Sequence, residues 1–273
     1  MKAALITGAS GGIGEAFAHR LAADGHNLFL VARTENKLRD LCDELMLKHK
    51  ITARYIAIDL NEFEADQRLF EETEKHKLEI EWLINNAGFG SMGDFADLDL
   101  KRESGMINLN ISVLVALTHR YLKPMRERGN GTIINVASTA GFQPIPFMAT
   151  YAATKAFVRS FSEAIAEENR PFNITVTALC PGPTDTNFFN VADAKPLQVK
   201  GMQSPEAVVE TALGAVKRRK ASIISGWTNY IGSILGTFAP NRLVTRVIGS
   251  ALRPKIEEKK RSRKVLPADK TQK

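Results

Sequence analysis

Short, nearly all-apolar runs alternate along the chain with longer stretches in which apolar residues recur every three to four positions. The runs Ala3–Thr7, Asn27–Ala32, Ala53–Ile58, Trp82–Asn85, Thr132–Val136, Thr175–Cys180 and Ser222–Ser225 predict strands. The intervening stretches Ile13–Asp24, Glu35–His49, Asn61–His76, Lys101–Glu127, Tyr151–Glu168 and Pro205–Lys217 predict helices. A strand covered on both faces reads as an unbroken apolar run rather than an alternation. The pattern therefore predicts an α/β fold with a doubly wound parallel sheet of about seven strands and helices on both faces. This single domain spans residues 1–226. Residues 227–252 break the rhythm: they are apolar and Gly-rich, and Pro240 interrupts them. They read as a helical extension packed on the same domain, and the basic residues 253–273 as a disordered tail.

Composition adds little to this picture, but charge placement adds more. With 44% hydrophobic residues there is material for a large core. The two cysteines, Cys42 and Cys180, lie far apart in apolar surroundings, which suits reduced residues of a cytoplasmic protein. No Cys/His spacing predicts a metal site. The first apolar run ends in a glycine loop and so reads as a strand rather than a leader. The net charge is +7. From Arg253 onward nine Lys/Arg face three acids, so the tail carries 9 − 3 = +6 and the body 7 − 6 = +1. A body that binds nucleic acid is not supported. Peripheral contact of the tail with an anionic membrane is one reading, and a solvated tail is the preferred one, because Glu257 and Glu258 interrupt it and no aromatic anchor lies within it.

After the first strand comes Thr7-Gly8-Ala9-Ser10-Gly11-Gly12-Ile13-Gly14, then a helical run. A glycine loop at a helix N-terminus presents free N–H groups to phosphate. Gly8, Gly12 and Gly14 permit a tight turn and close approach to a pyrophosphate, the Rossmann-type arrangement. Ser10, Gly11 and Ile13 complete the candidate cradle. At the end of the second strand an NAD-binding chain carries an acid for the ribose 2′-hydroxyl. Here Ala32 stands in that place and Arg33 follows, which favours NADP(H) over NAD(H). Asp59, followed by Leu60 at the end of the third strand, is a candidate for the adenine amine, and Asp59 also fits a helix cap.

Tyr151 and Lys155 stand four residues apart at the start of a long helical pattern, so both lie on one face. A free tyrosine titrates at pH ~10. A fixed cation beside it favours the phenolate and brings the group toward the working range. The plain alternative is a core tyrosine with a solvated lysine.

Together these pieces resemble the short-chain dehydrogenase/reductase family from about Lys2 to Ser225. The matching residues are Thr7–Gly14, Asn85-Asn86-Ala87-Gly88, Asn110, Ser138, Tyr151 with Lys155, and Pro181-Gly182-Pro183 with Thr184 and Thr186. The resemblance implies that Tyr151 is the general acid/base and that Lys155 holds the nicotinamide ribose and depresses the tyrosine pKa. It implies that Ser138 binds the substrate oxygen and that Asn110 holds a proton-relaying water; Asn108 is set aside because Thr118 lies at family spacing from Asn110. Asn86, Ala87 and Gly88 would line the adenosine side of the cofactor. Pro181, Gly182, Thr184 and Thr186 would contact the nicotinamide amide. The stretch Asp185–Gly201 would be a substrate loop. A homodimer or homotetramer through the long helices is implied as well. The expected activity is NADP(H)-dependent hydride transfer between nicotinamide and a carbonyl or secondary alcohol. Gly90, Phe142, Pro144, Phe147 and Phe188 suggest a hydrophobic small-molecule substrate. The competing expectation is an NADP(H)-binding regulatory or scaffold protein with vestigial chemistry.

Overall fold

The computed structural model describes residues 1–195, 198 and 201–265. Seven parallel strands form one sheet in the order β3-β2-β1-β4-β5-β6-β7. They are β1 Lys2–Thr7, β2 Leu28–Ala32, β3 Ala53–Ala57, β4 Glu79–Asn85, β5 Gly131–Val136, β6 Ile174–Cys180 and β7 Ser222–Ile224. Side chains alternate across each strand, and β1 shows the consequence. Ala4 and Ile6 face Phe17 and Leu21 of α1 (Gly12–Ala23) and Leu38 and Leu45 of α2 (Glu35–His49). Ala3 and Leu5 face the opposite layer, with Leu69 of α3 (Ala65–Lys75) and Leu117 and Met125 of α5 (Leu114–Arg128). The eight-residue α4 (Leu100–Ile107) precedes α5, and α6 (Ala149–Asn169), α7 (Phe188–Val191) and α8 (Pro205–Lys217) follow it.

The strand order reverses direction between β1 and β4. In such sheets the two flanking loops diverge at the carboxyl ends of the strands and leave a crevice there. The glycine loop follows β1 and the Asn86–Gly88 loop follows β4, so both open into that crevice.

Two expected helices differ in their boundaries. The third begins at Ala65 rather than Asn61, because the Asp59 carboxylate accepts a hydrogen bond from the Asn61 N–H at 2.9 Å and holds the chain in a turn. The long fourth helix is divided: a π-helical segment, Asn108–Val113, separates α4 from α5.

The expectation of a disordered tail from Arg253 is corrected. Beyond α9 (Trp227–Phe238), the helix α10 runs from Asn241 to Val265 through Pro254. Its Leu252 and Ile256 are buried in a cluster with Met92, Met148 and Tyr151. Lys260 pairs with Asp94 at 3.2 Å and with Asp97 at 2.6 Å. These contacts come from distant segments, so charge read locally does not reveal them. Residues 266–273 of the tail, and residues 196, 197, 199 and 200 of the expected substrate loop, lie outside the described residues.

Candidate active site

Gly8 and Gly12 adopt left-handed backbone angles (φ +68° and +59°). A side chain at Gly14 would sit 2.3 Å from the Gly8 carbonyl oxygen, so only glycine allows α1 to leave the strand so tightly. Gly11 is the N-cap of α1, and no side chain caps the first turn. Its N–H groups are thus open to an anion, an arrangement that fits a pyrophosphate. The loop is fastened from β4. Thr7 Oγ1 accepts from the N–H groups of Asn86 and Ala87, both at 3.0 Å, and Asn86 Nδ2 donates to the Thr7 carbonyl at 2.9 Å. Asn86 therefore shapes the cradle through its side chain. Ser10 is half-buried at the loop, and Ile13 packs its side chain into the core.

The far end of the crevice is lined by Arg33, Ile56, Ala57, Ile58, Asp59, Glu62 and Arg68. The Arg33 side chain is 75% exposed and its Nη1 stands 3.8 Å from Asp59 Oδ2. The Leu60 side chain is buried in the core, leaving only its backbone for a ligand. Ala32 carries no acid here, so the residues present fit a 2′-phosphate better than a bare ribose.

Three groups converge where β5 and α6 meet. Ser138, just past β5, accepts a hydrogen bond from the Ala140 N–H at 3.1 Å, and its hydroxyl bonds the Tyr151 phenol. Lys155 Nζ donates to the Val136 carbonyl at 2.7 Å and lies 5.8 Å from the centre of the Tyr151 ring. Asn110 is buried in the π-helical segment. Its Nδ2 donates to the Phe89 carbonyl at 3.0 Å and to Thr154 Oγ1 at 3.1 Å, and its Oδ1 accepts from the Phe89 N–H. Asn108 points elsewhere, to Asn61. A side chain at Gly88 would come within 2.8 Å of Asn110 Oδ1 and 3.6 Å of Lys155 Nζ, so these two polar groups flank one point.

The expected effect of Lys155 on Tyr151 is not what this structure shows. Burial pushes the phenol up to about 12, with the Ser138 hydrogen bond drawing it part of the way back. Burial also brings the Lys155 ammonium down to about 8. Both groups lie away from water, and desolvation of each outweighs their mutual influence.

Pro181 and Gly182 follow β6, and the Pro181 carbonyl accepts from the Thr139 N–H at 2.9 Å. Thr184 Oγ1 donates to the Gly182 carbonyl at 3.0 Å. The Thr186 methyl lies where a side chain at Gly12 would stand, so this loop crosses above the glycine loop. Phe188 then covers Tyr151, their ring centres 5.2 Å apart. A side chain at Gly90 would meet Phe188 at 2.9 Å and Tyr151 at 3.2 Å, which leaves room only for glycine. Phe147 joins this apolar group, together with Met92, Met148, Phe189 and Leu252. Phe142, an expected lining residue, packs instead beside Leu114, Val158 and Cys180, under the Arg159 guanidinium. Pro144 is exposed.

A buried polar chain missed in the sequence ties this site to the sheet. Asn85 Nδ2 donates to Thr118 Oγ1 at 3.0 Å and to Asn135 Oδ1 at 2.9 Å, and Asn135 Nδ2 donates to Ser162 Oγ at 2.9 Å. Polar Asn135 inside the run Ile133-Ile134-Asn135-Val136 is the signal that marks it. Through Ser162 the chain fixes α6, which carries Tyr151 and Lys155. Asn135→Ala removes one acceptor from the Asn85 amide and the donor to the Ser162 hydroxyl, each of which keeps one other partner, and should lower stability by about 1–3 kcal/mol. Urea denaturation followed by circular dichroism measures this as a lower midpoint at unchanged slope.

A parallel sheet with a reversing strand order, an uncapped glycine loop and a buried Ser/Tyr/Lys group define a nucleotide-dependent oxidoreductase of the α/β type. The family model of the short chain dehydrogenases matches residues 2–196, and the chain belongs to this family. Similar proteins include the 7beta-hydroxysteroid dehydrogenase of Mediterraneibacter gnavus, 31% identical over 229 residues that cover 82% of this chain and 86% of that one. The very-long-chain 3-oxoacyl-CoA reductase of Homo sapiens is 34% identical over 222 residues, covering 78% of this chain and 68% of that one. Among solved structures, the short-chain dehydrogenase from Sphingobium yanoikuyae in complex with NADPH superposes with a TM-score of 0.78 at 27% identity, covering 100% of this chain and 99% of that one. The protein is thus a short-chain dehydrogenase/reductase, an oxidoreductase of CH–OH/C=O groups.

Proposed function

We propose that the enzyme reduces a bulky apolar ketone with NADPH, Tyr151 acting as the proton donor and Ser138 holding the carbonyl oxygen. The observation that carries this reading is the burial of Ser138, Tyr151 and Lys155 together beneath Phe188. The cofactor, when bound, supplies a hydride to the carbonyl carbon. The chain supplies the rest. Ser138 receives the Ala140 N–H, which leaves its own proton for the phenol or for a substrate oxygen. The Tyr151 hydroxyl carries the proton that the developing alkoxide takes up. Lys155, anchored on the Val136 carbonyl, keeps further N–H groups for a ribose hydroxyl. Asn110 holds the loop after β4 in place through Phe89 and places its amide near Lys155, where a water could enter a proton route.

The raised phenol pKa favours reduction at neutral pH, since the acid form is the one present. Arg33 favours the cofactor with a 2′-phosphate. The apolar group of Met92, Phe147, Met148, Phe188 and Leu252 supports a hydrophobic substrate, of the kind that the names of the steroid and 3-oxoacyl relatives describe. Pairing of two copies through the long helices is supported by exposed Leu100 and Ile107 on α4 and Phe157 on α6.

The test is NADPH oxidation with aldehydes, aliphatic ketones, 3-oxoacyl thioesters and steroids, each repeated with NADH. Bulky ketones should be turned over, and NADPH should outperform NADH. The best pair is then followed against pH in both directions. Reduction needs the Tyr151/Lys155 pair protonated, so its rate should fall as pH rises above about 8 toward about 12; oxidation of the alcohol should rise over the same range. A flat profile in both directions speaks against Tyr151 as the acid.

A further inference from the structure

The helix α9 is amphipathic in the wrong sense for a helix that packs on a core. Two of its polar side chains, Asn229 and Ser233, turn inward. Asn229 lies against Gly182, donates to the Ser225 carbonyl at 2.7 Å and reaches Gln203, while Ser233, one turn on, is buried. Its apolar side chains turn outward: Trp227, Tyr230, Ile231, Leu235 and Phe238 are 74%, 45%, 40%, 66% and 83% exposed. Trp227 and Tyr230 stack on each other at 6.0 Å. A surface helix of a soluble protein carries charge on its outer side; α9 contains no charged residue at all.

The next helix repeats the pattern with cations at its edge. In α10 the exposed Leu243 and Val247 stand beside the exposed Arg242 and Arg246, one turn apart on each count. Gly236 of α9 lies against Gln143 and Gly249 of α10 against Pro146, so both helices rest on one segment of the domain and face outward from it. Residues 221–256 include no Asp or Glu and four basic residues, Arg242, Arg246, Arg253 and Lys255. Aromatic and aliphatic side chains facing out, arginines at the rim and no carboxylate within residues 221–256 are the features that seat a helix in the headgroup region of an anionic bilayer. A two-fold pairing joins the same patch of two copies and would bring their cations together with no carboxylate of residues 221–256 to offset them, which disfavours that occupant.

We infer that the outer face of α9 and the first half of α10 is a membrane-docking surface that lies on anionic lipid. No described helix is long and apolar enough to cross a membrane, so the helices lie on the surface and α9 covers about 18 Å of it. The inference stands apart from the reductase reading, because none of these outward residues contacts Ser138, Tyr151 or Lys155.

The chain has two tryptophans. In Trp82→Phe only Trp227 emits, so its fluorescence reports this face directly. The full chain is mixed with vesicles of phosphatidylcholine alone and of phosphatidylcholine with phosphatidylserine. The inference requires co-sedimentation with the anionic vesicles and a blue shift of Trp227 emission, both much weaker with phosphatidylcholine. Leu235→Ser/Phe238→Ser should abolish sedimentation while far-UV circular dichroism and NADPH oxidation stay as in the wild type. Arg242→Gln/Arg246→Gln should lower partitioning about fivefold per arginine. A chain ending at Val265 should still bind. The inference is overturned if the wild type stays in the supernatant with both vesicles, or if the Leu235/Phe238 variant sediments like the wild type. It is also overturned if that variant loses a dimer seen by light scattering in a wild type that ignores vesicles, since the face then joins two copies.

Discussion

Tyr151→Phe should lower the rate of ketone reduction by about 10³-fold, within the usual worth of a positioned general acid. The substitution removes one oxygen and little else. The ring keeps its packing against Phe188 and its place beside Lys155. NADPH affinity should fall by no more than about fivefold, the value of a single neutral hydrogen bond. Thermal stability should hold, because the hydroxyl is buried and its removal leaves only Ser138 to rebond. The contrast between a large loss in kcat and a small one in cofactor binding separates a proton donor from a residue that merely shapes the pocket. Stopped-flow reduction with the best ketone, alongside a fluorescence titration with NADPH, measures both quantities on one preparation.

Arg33→Asp should reverse the choice of cofactor. A charge-assisted hydrogen bond contributes about 1.5–3 kcal/mol, so losing it should lower kcat/KM for NADPH by about 10- to 100-fold. The new carboxylate also repels the 2′-phosphate and can accept a hydrogen bond from a ribose hydroxyl, so kcat/KM for NADH should rise. Arg33→Ala divides these effects: NADPH weakens and NADH barely changes. Because the guanidinium is exposed, salt should raise KM for NADPH in the wild type and leave KM for NADH nearly constant. Asp59 adds a further point. Its Oδ2 stands 3.8 Å from Arg33 and its Oδ1 holds the Asn61 N–H, so much of its capacity is taken before an adenine amine arrives.

What can be read in the sequence is local or periodic. The glycine loop, the parallel sheet and the one-face spacing of Tyr151 and Lys155 follow from neighbours along the chain. What cannot be read depends on contacts between distant segments. The π-helical turn at Asn108–Val113 leaves no mark in apolar spacing, yet Asn110 reaches Phe89 and Thr154 from it. Helix α10 persists past Arg253 because Leu252, Ile256 and Lys260 find partners around Met92 and Asp94. Composition alone reads that stretch as a solvated tail. The acidity of Tyr151 goes the other way for the same reason: a lysine four residues on suggests a lowered pKa, but burial is a property of the fold and it dominates. Phe142 is the smallest case. It lies four residues past Ser138 and is apolar, yet it packs on Val158 and Cys180 rather than beside Tyr151.

The most direct test is isotopic. NADPH carrying deuterium at both C4 positions of the nicotinamide is incubated with the full chain and its best ketone, and the alcohol is analysed by mass spectrometry and NMR. Deuterium should appear on the carbinol carbon in proportion to NADPH consumed, with almost none transferred by Tyr151→Phe in the same time. NADPH consumption without deuterium in the alcohol, or equal transfer by Tyr151→Phe, would contradict hydride transfer completed by the Tyr151 proton.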